Sequence, residues 1–282
     1  MLKTSLVNMD VLFDKYGPEY LDFAERMLGV VRRLGIDSAD VFEKYVFEYL
    51  RDLARFEKTH TYDNGTFDEI RDRIYDNEEL MTRTYLPGLF VAYIATTLLY
   101  EKYRFFQRAF SARLTDEMVG TEIGFGDGFY LWQLLDHHPA LKVHGFDISE
   151  HSISFTNRLL STSGFSPSAY RLEFGNVCER LPVADAAYDW CILAEVIEHV
   201  ADPVFTLREI RRVMKPGGLL YLATVIDANH MDHITNFANP EEIEALLTNS
   251  RQQVIDRMVY RVNSEIQTRD RAVGVCTVSR SS

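Results

Sequence analysis

Two textures divide the chain. Up to about residue 110 the apolar positions recur every three or four residues, the spacing of packed helices. Ser38 is placed as an N-cap, with Phe42, Tyr45, Tyr49, Leu53 and Phe56 behind it on one helical face. Residues 61–66 read as a loop turned by Asn64-Gly65, and a second helix covers about 68–80. Pro87-Gly88 is expected to break the next helix. From Leu89 to Phe110 aromatics are dense: Phe90, Tyr93, Tyr100, Tyr103, Phe105, Phe106 and Phe110. They either pack the helices on one another and on the C-terminal domain, or line a substrate pocket.

After Leu114 short apolar runs alternate with helical stretches, the mark of βαβ units and a parallel sheet. Strands are predicted over 118–123, 142–146, 170–174, 189–193 and 218–225. Helices fall over 129–138, 149–163, 203–214 and 240–247. Two final strands, 253–261 and 272–279, come with no helix between them. The expected fold is α/β: a seven-stranded, mostly parallel, Rossmann-like sheet (114–282) behind a helical N-terminal region (1–113) that serves as a lid, a substrate-binding unit or a dimerisation surface.

Composition narrows the field. A 46 % hydrophobic share supports a buried core, and 282 residues allow one large or two modest domains. The net charge of −12 repels phosphate backbones, so no nucleic-acid partner is expected. Cys178, Cys191 and Cys276 are odd in number and far apart, which argues against disulfides and a Cys-x-x-Cys metal site. Cys191 and Cys276 sit in apolar runs and read as core, in a reduced, cytoplasmic protein. The first ten residues carry no apolar signal core, and the run Leu86–Tyr100 is too short to span a bilayer, so no membrane partner is expected.

The densest chemistry lies at Glu122-Ile-Gly124-Phe-Gly126-Asp-Gly128, between the first strand and the first helix of the α/β region. Glycines at alternate positions permit a tight turn and a close backbone approach by a ligand. The third glycine comes one residue too early for the dinucleotide pattern, and the spacing suits a nucleoside with an amino-acid tail. Asp147 ends the second strand 19 residues after Gly128. An acid there accepts from both ribose hydroxyls. Capping the next helix is the other role open to it, although Ser149 is available for that.

These residues resemble the class I S-adenosylmethionine-dependent methyltransferases, of the small-molecule type with a helical N-terminal region. Other segments come in the family's order over about 114–280: Gly175-Asn176-Val177, Leu181 to Asp185, Tyr188-Asp189, Glu195 to Pro203, and Lys215-Pro-Gly-Gly218. The resemblance implies S-adenosylmethionine held by Glu122, Gly124, Gly126, Gly128, Asp147, Ile148, Asn176, Val177 and Glu195. Asn176 stands where the family usually has an acid against the adenine amino group, and its amide oxygen can still accept. The segment after Glu195 is implied to lie under the methionine part.

His199, His230 and His233 come after the fourth and fifth strands, on the edge of the sheet where such folds bind ligands. Each is read as a general base, as a metal ligand (His199 and His233 for a divalent ion) or as a solvated or capping residue. His137-His138 reads as a helix terminus. The N-terminal region, with Tyr85 to Phe90, is also similar to bacterial enzymes that methylate the β-carbon of 2-oxo acids, some of which hold a metal with two histidines. Expected activities are therefore metal-assisted C-methylation of a 2-oxo acid in secondary metabolism, or O- or N-methylation of a small metabolite with a histidine base. From other classes, a nicotinamide oxidoreductase and a methyltransferase-fold cyclase or binding protein remain. A homo-oligomer through the N-terminal helices is a further expectation.

Overall fold

The computed structural model describes residues 9–59, 65–226, 232–261 and 272–282. Helices α1 (Met9–Tyr16), α2 (Pro18–Arg33), α3 (Ser38–Thr59), α4 (Leu86–Ala95) and α5 (Thr97–Phe105) form the N-terminal layer. The α/β region runs β1 (Val119–Ile123), α6 (Phe129–His137), β2 (Lys142–Asp147), α7 (Glu150–Thr162), β3 (Tyr170–Phe174), β4 (Tyr188–Ala194), α8 (Pro203–Val213), β5 (Met214–Ile226), α9 (Pro240–Asn249), β6 (Gln252–Arg261) and β7 (Val273–Ser281). The seven strands take the order β3-β2-β1-β4-β5-β7-β6. All pairs are parallel except those made by β7, which inserts antiparallel between β5 and β6. The order reverses at β1 and β4, which places a crevice beyond the carboxyl ends of those strands.

One apolar core lies on each face of the sheet. The first joins the N-terminal helices to α6 and the sheet, with Phe23, Phe90, Tyr93, Phe106 and Phe110 packed against Phe129, Tyr130, Trp190 and Tyr221. Tyr93 and Phe129 stack with ring centroids 3.5 Å apart. The aromatics of 89–110 are therefore largely core, and that core crosses the expected boundary at 113. The second core, under α8 and α9, holds Cys191, Ile210, Leu222 and Ile243. Cys191 and Cys276 are buried, and all three cysteines are free. Among the described residues no helix is long and apolar enough to cross a membrane.

Two N-terminal expectations need correction. Ser38 is not the cap of α3: Asp37 takes that place, its carboxylate accepting from the N–H groups of Ala39 and Asp40. Pro87-Gly88 does not break a helix either. A wide π-helical turn over Met81–Tyr85 leads straight into α4, and Pro87 falls in the first turn, where a missing N–H costs least. Gly88 is required by packing, since a Cβ there would lie 2.4 Å from the Cβ of Tyr45 on α3. Asn64, and the side chains of Leu53 and Phe56, lie outside the described residues.

Candidate functional site

The turn after β1 is built on three left-handed glycines, with φ of 68° at Gly124, 48° at Gly126 and 73° at Gly128. Added side chains at Gly124 and Gly128 would strike Val196 and Thr156. At Gly126 nothing lies within 4 Å, so that position is open to a ligand. The Gly126 N–H donates to Asp147 Oδ2 at 2.8 Å, and the Ser149 N–H donates to Oδ1 at 2.9 Å. Ser149 itself caps α7. Asp147 is thus buried and aimed by two backbone donors, each of its oxygens keeping a lone pair for a ligand.

Acids crowd this wall. Burial pushes Asp147 up to about 6 and Asp127 up to about 7, even though backbone N–H groups pull both back. Glu122 is raised well above the carboxylate range by burial and then by Asp127 and Asp147, and its Oε2 has no hydrogen-bond partner. Such a cluster favours a cationic ligand. Ile148, Asn176 and Val177 also line the cavity. The Asn176 side chain is engaged in its own turn, accepting from the Cys178 N–H and donating to Glu179. Only a second lone pair on its oxygen is left for an adenine contact.

The opposite wall comes from the ends of β4 and β5. Glu195 takes a φ of 54°, unusual for a non-glycine residue, and its carboxylate meets the wholly buried Lys102 Nζ at 2.6 Å. His199 places Nδ1 2.9 Å from the carbonyl oxygen of Asp232. That oxygen only accepts, so Nδ1 carries the proton and Nε2 is the nitrogen left with a lone pair. Burial alone would lower the basicity of His199, but Asp232, Glu198 and Glu195 outweigh it and raise it. Asp232 is wholly buried and accepts from the hydroxyls of Tyr75 at 3.1 Å and Tyr85 at 3.0 Å. The His199 and His233 rings lie 5.0 Å apart.

One cavity of about 290 Å³ joins the two walls. Phe42, Tyr45, Tyr75, Tyr85 and Tyr93 from the N-terminal layer roof it, over Gly126, Asp147, Glu195, His199 and His233. Gly128 stands at the start of α6 behind the turn. His230 lies outside the described residues. His137 and His138 are spent on Gln133 and Ser111 at the end of α6. The sequence reading missed Glu198, Asp232, Tyr75, Tyr85 and Lys102. Glu198 had a local signal in its place next to His199; the other four are brought in by tertiary contact alone.

Residues 121–222 match the methyltransferase domain family. The ubiquinone biosynthesis O-methyltransferase of Rhizobium rhizogenes is 35 % identical over 118 residues, 41 % of this chain and 44 % of that protein. The tRNA U34 carboxymethyltransferase of Campylobacter curvus is 31 % identical over 107 residues, 37 % of this chain and 33 % of that protein. The chain thus spans less than half the length of these two relatives. The crystal structure of the 4+2 cyclase SpnF superposes with a TM-score of 0.55 at 15 % identity, covering 64 % of this chain and 80 % of that one, a likeness of fold. With this sheet order, the glycine turn and Asp147 at the end of β2, residues 121–222 carry a methyltransferase domain with the class I, Rossmann-like fold of the S-adenosylmethionine-dependent enzymes.

Proposed function

We propose that the protein transfers a methyl group from S-adenosylmethionine to a small molecule enclosed between the sheet edge and the N-terminal helices. One observation carries this reading. A single cavity is lined by the nucleoside-binding elements, by His199 and His233, and by the aromatic roof. The sulfonium is cationic, and a cavity lined by Glu122, Asp127 and Asp147 is electrostatically suited to a cation, which would favour their ionised forms. In the transfer the acceptor's electron pair forms the bond to the methyl carbon while the sulfur–carbon bond breaks. The sulfonium becomes a neutral thioether, and the acceptor's proton passes to a base. Holding donor and acceptor in line supplies most of the acceleration.

The finer reading concerns the acceptor. Among the described residues that line the cavity there is no Lys or Arg, whereas Glu122, Asp127, Asp147, Glu195, Glu198 and Asp232 all line it. Among the described residues, then, no cationic side chain lines the cavity to meet an anionic acceptor. This favours a divalent ion held by His199 and His233 that binds a 2-oxo acid and acidifies its β-carbon for methylation. The second reading is O- or N-methylation of a neutral metabolite, with His199 Nε2 as base.

Calorimetry with S-adenosylhomocysteine, followed by incubation with methyl-labelled donor and panels of 2-oxo acids, phenols and amines, tests these readings. Labelled carbon in a 2-oxo acid product supports the first, and label on oxygen or nitrogen supports the second. Absence of binding of the demethylated cofactor overturns the methyltransferase reading altogether.

A further inference from the structure

We infer that Lys102, on α5 and outside the stretch that matches the methyltransferase domain, is a positioning residue for the methyl donor: it anchors the Glu195 carboxylate where the ammonium of the donor's amino-acid tail would lie. The inference rests on the methyltransferase function proposed above, and it makes the helical layer part of the cofactor's own site.

Two features at this point act against stability. Lys102 has no exposure, and its ammonium donates to Glu195 Oε1 at 2.6 Å, its one hydrogen-bond partner among the described residues. Burying such a pair carries a desolvation cost that an apolar side chain of the same length would avoid. Glu195 takes a φ of 54°, a strained backbone for a non-glycine residue and one that clusters at functional sites. The fold also makes room for the lysine. Its stem passes over Gly274 of β7, where an added Cβ would lie 3.0 Å from Lys102 Cε and 2.5 Å from Leu98 Cδ1. What these features accomplish together is the placing of one carboxylate.

That carboxylate stands where the donor's tail ends. β2, β1 and β4 are neighbours in the sheet, and their carboxyl ends carry Asp147, the glycine turn and Glu195 in a row. Two strand spacings, roughly 10 Å, separate the first from the last, a span comparable to that from the ribose to the amino-acid end of the donor. The end of β4 packs on the turn itself: an added Cβ at Gly124 would lie 2.4 Å from Val196 Cγ2. The Glu195 N–H donates to the Ala223 carbonyl oxygen of β5 at 2.8 Å, which fixes the backbone beneath the side chain. With Oε1 held by Lys102, Oε2 is the oxygen left to accept from an ammonium, and Glu195 lines the cavity.

The test is calorimetry on the full chain with two ligands, S-adenosylhomocysteine and methylthioadenosine. The second keeps the nucleoside and the sulfur but lacks the amino-acid tail. Glu195→Gln should weaken S-adenosylhomocysteine at least about tenfold, as the loss of a charged hydrogen bond does, and methylthioadenosine less than about twofold. Lys102→Met should show the same selective loss, because the carboxylate is no longer anchored; Lys102→Gln, too short to make the contact, takes its place if Lys102→Met does not fold. A folded Lys102 variant that binds S-adenosylhomocysteine as tightly as wild type, or more tightly, overturns the inference, since removing a mere counter-charge would leave Glu195 more attractive to an ammonium. An equal loss for both ligands overturns it too, because damage to the cavity as a whole does not distinguish them. Wild-type chain that binds neither ligand sinks the methyltransferase reading itself, an outcome separate from a failure at Lys102 alone.

Discussion

The two walls of the cavity are made in different ways. On the β1–β2 side the parts are close in sequence and fixed by backbone: Gly126 donates to Asp147, 21 residues on, and Ser149 to the same carboxylate two residues away. On the β4–β5 side the parts come from across the chain. Tyr75 and Tyr85 reach Asp232 over 157 and 147 residues, and Lys102 reaches Glu195 over 93. A wall of the first kind can be carried from protein to protein as a motif. One of the second kind depends on the whole packing and is free to differ in what it accepts.

Four experiments sharpen that contrast. The largest effect is expected from Asp147→Ala. Hydrogen bonds to a charged acceptor contribute roughly 1.5–3 kcal/mol each, so losing two should weaken cofactor binding by about a hundredfold or more. Unchanged affinity by calorimetry would refute the ribose assignment. Next, His233→Ala should lower turnover about a hundredfold, in the range of a lost base or metal ligand, and leave cofactor affinity nearly intact. An equal loss in both measurements would erase the distinction between the walls.

A smaller effect is expected from Gly88→Ala. The new Cβ would meet Tyr45, force α4 away from α3, and cost about 1–3 kcal/mol in a chemical denaturation curve. A stability equal to that of wild type would mean that the roof is loosely held. The gentlest dependence is on pH. Asp127 and Asp147 keep their protons to about 7 and about 6 in the folded chain, against a normal value of 3.8. The folded state then binds more protons than the unfolded one between about pH 4 and 7. Cofactor-free protein should lose stability as pH rises through that window, by at most about 1.4 kcal/mol per unit for each group. Thermal melts across the range check this, and a profile that rises with pH would show that the two acids are better solvated than their burial implies.

The same contrast explains what the sequence disclosed. The inner strands β1, β4 and β5 were legible to within a few residues because parallel strands buried on both faces leave near-continuous apolar runs. Gly124, Gly126, Gly128 and Asp147 were legible because their task is set by local backbone geometry. The role of Pro87 was not, since the wide turn that accommodates it leaves no compositional trace. Nor were Tyr75, Tyr85 and Asp232, whose hydrogen bonds exist only once the N-terminal layer has docked. His199 and His233 could be named from their places after β4 and β5, but the carboxylate between them required the backbone pairing of Glu198 with residues 234 and 235.

The contact between Lys102 and Glu195 bears on how molecules enter. Lys102 has no exposure to solvent, and α5 also leans on β6 and β7, so moving this helix outward would break the Lys102–Glu195 ion pair as well as the packing on the sheet. The C-terminal part of the helical layer is therefore tied to the end of β4. At the other end of the roof the hydroxyls of Tyr75 and Tyr85 are anchored on the wholly buried carboxylate of Asp232, so both ends of the helical layer are tied to the sheet edge through a buried charge.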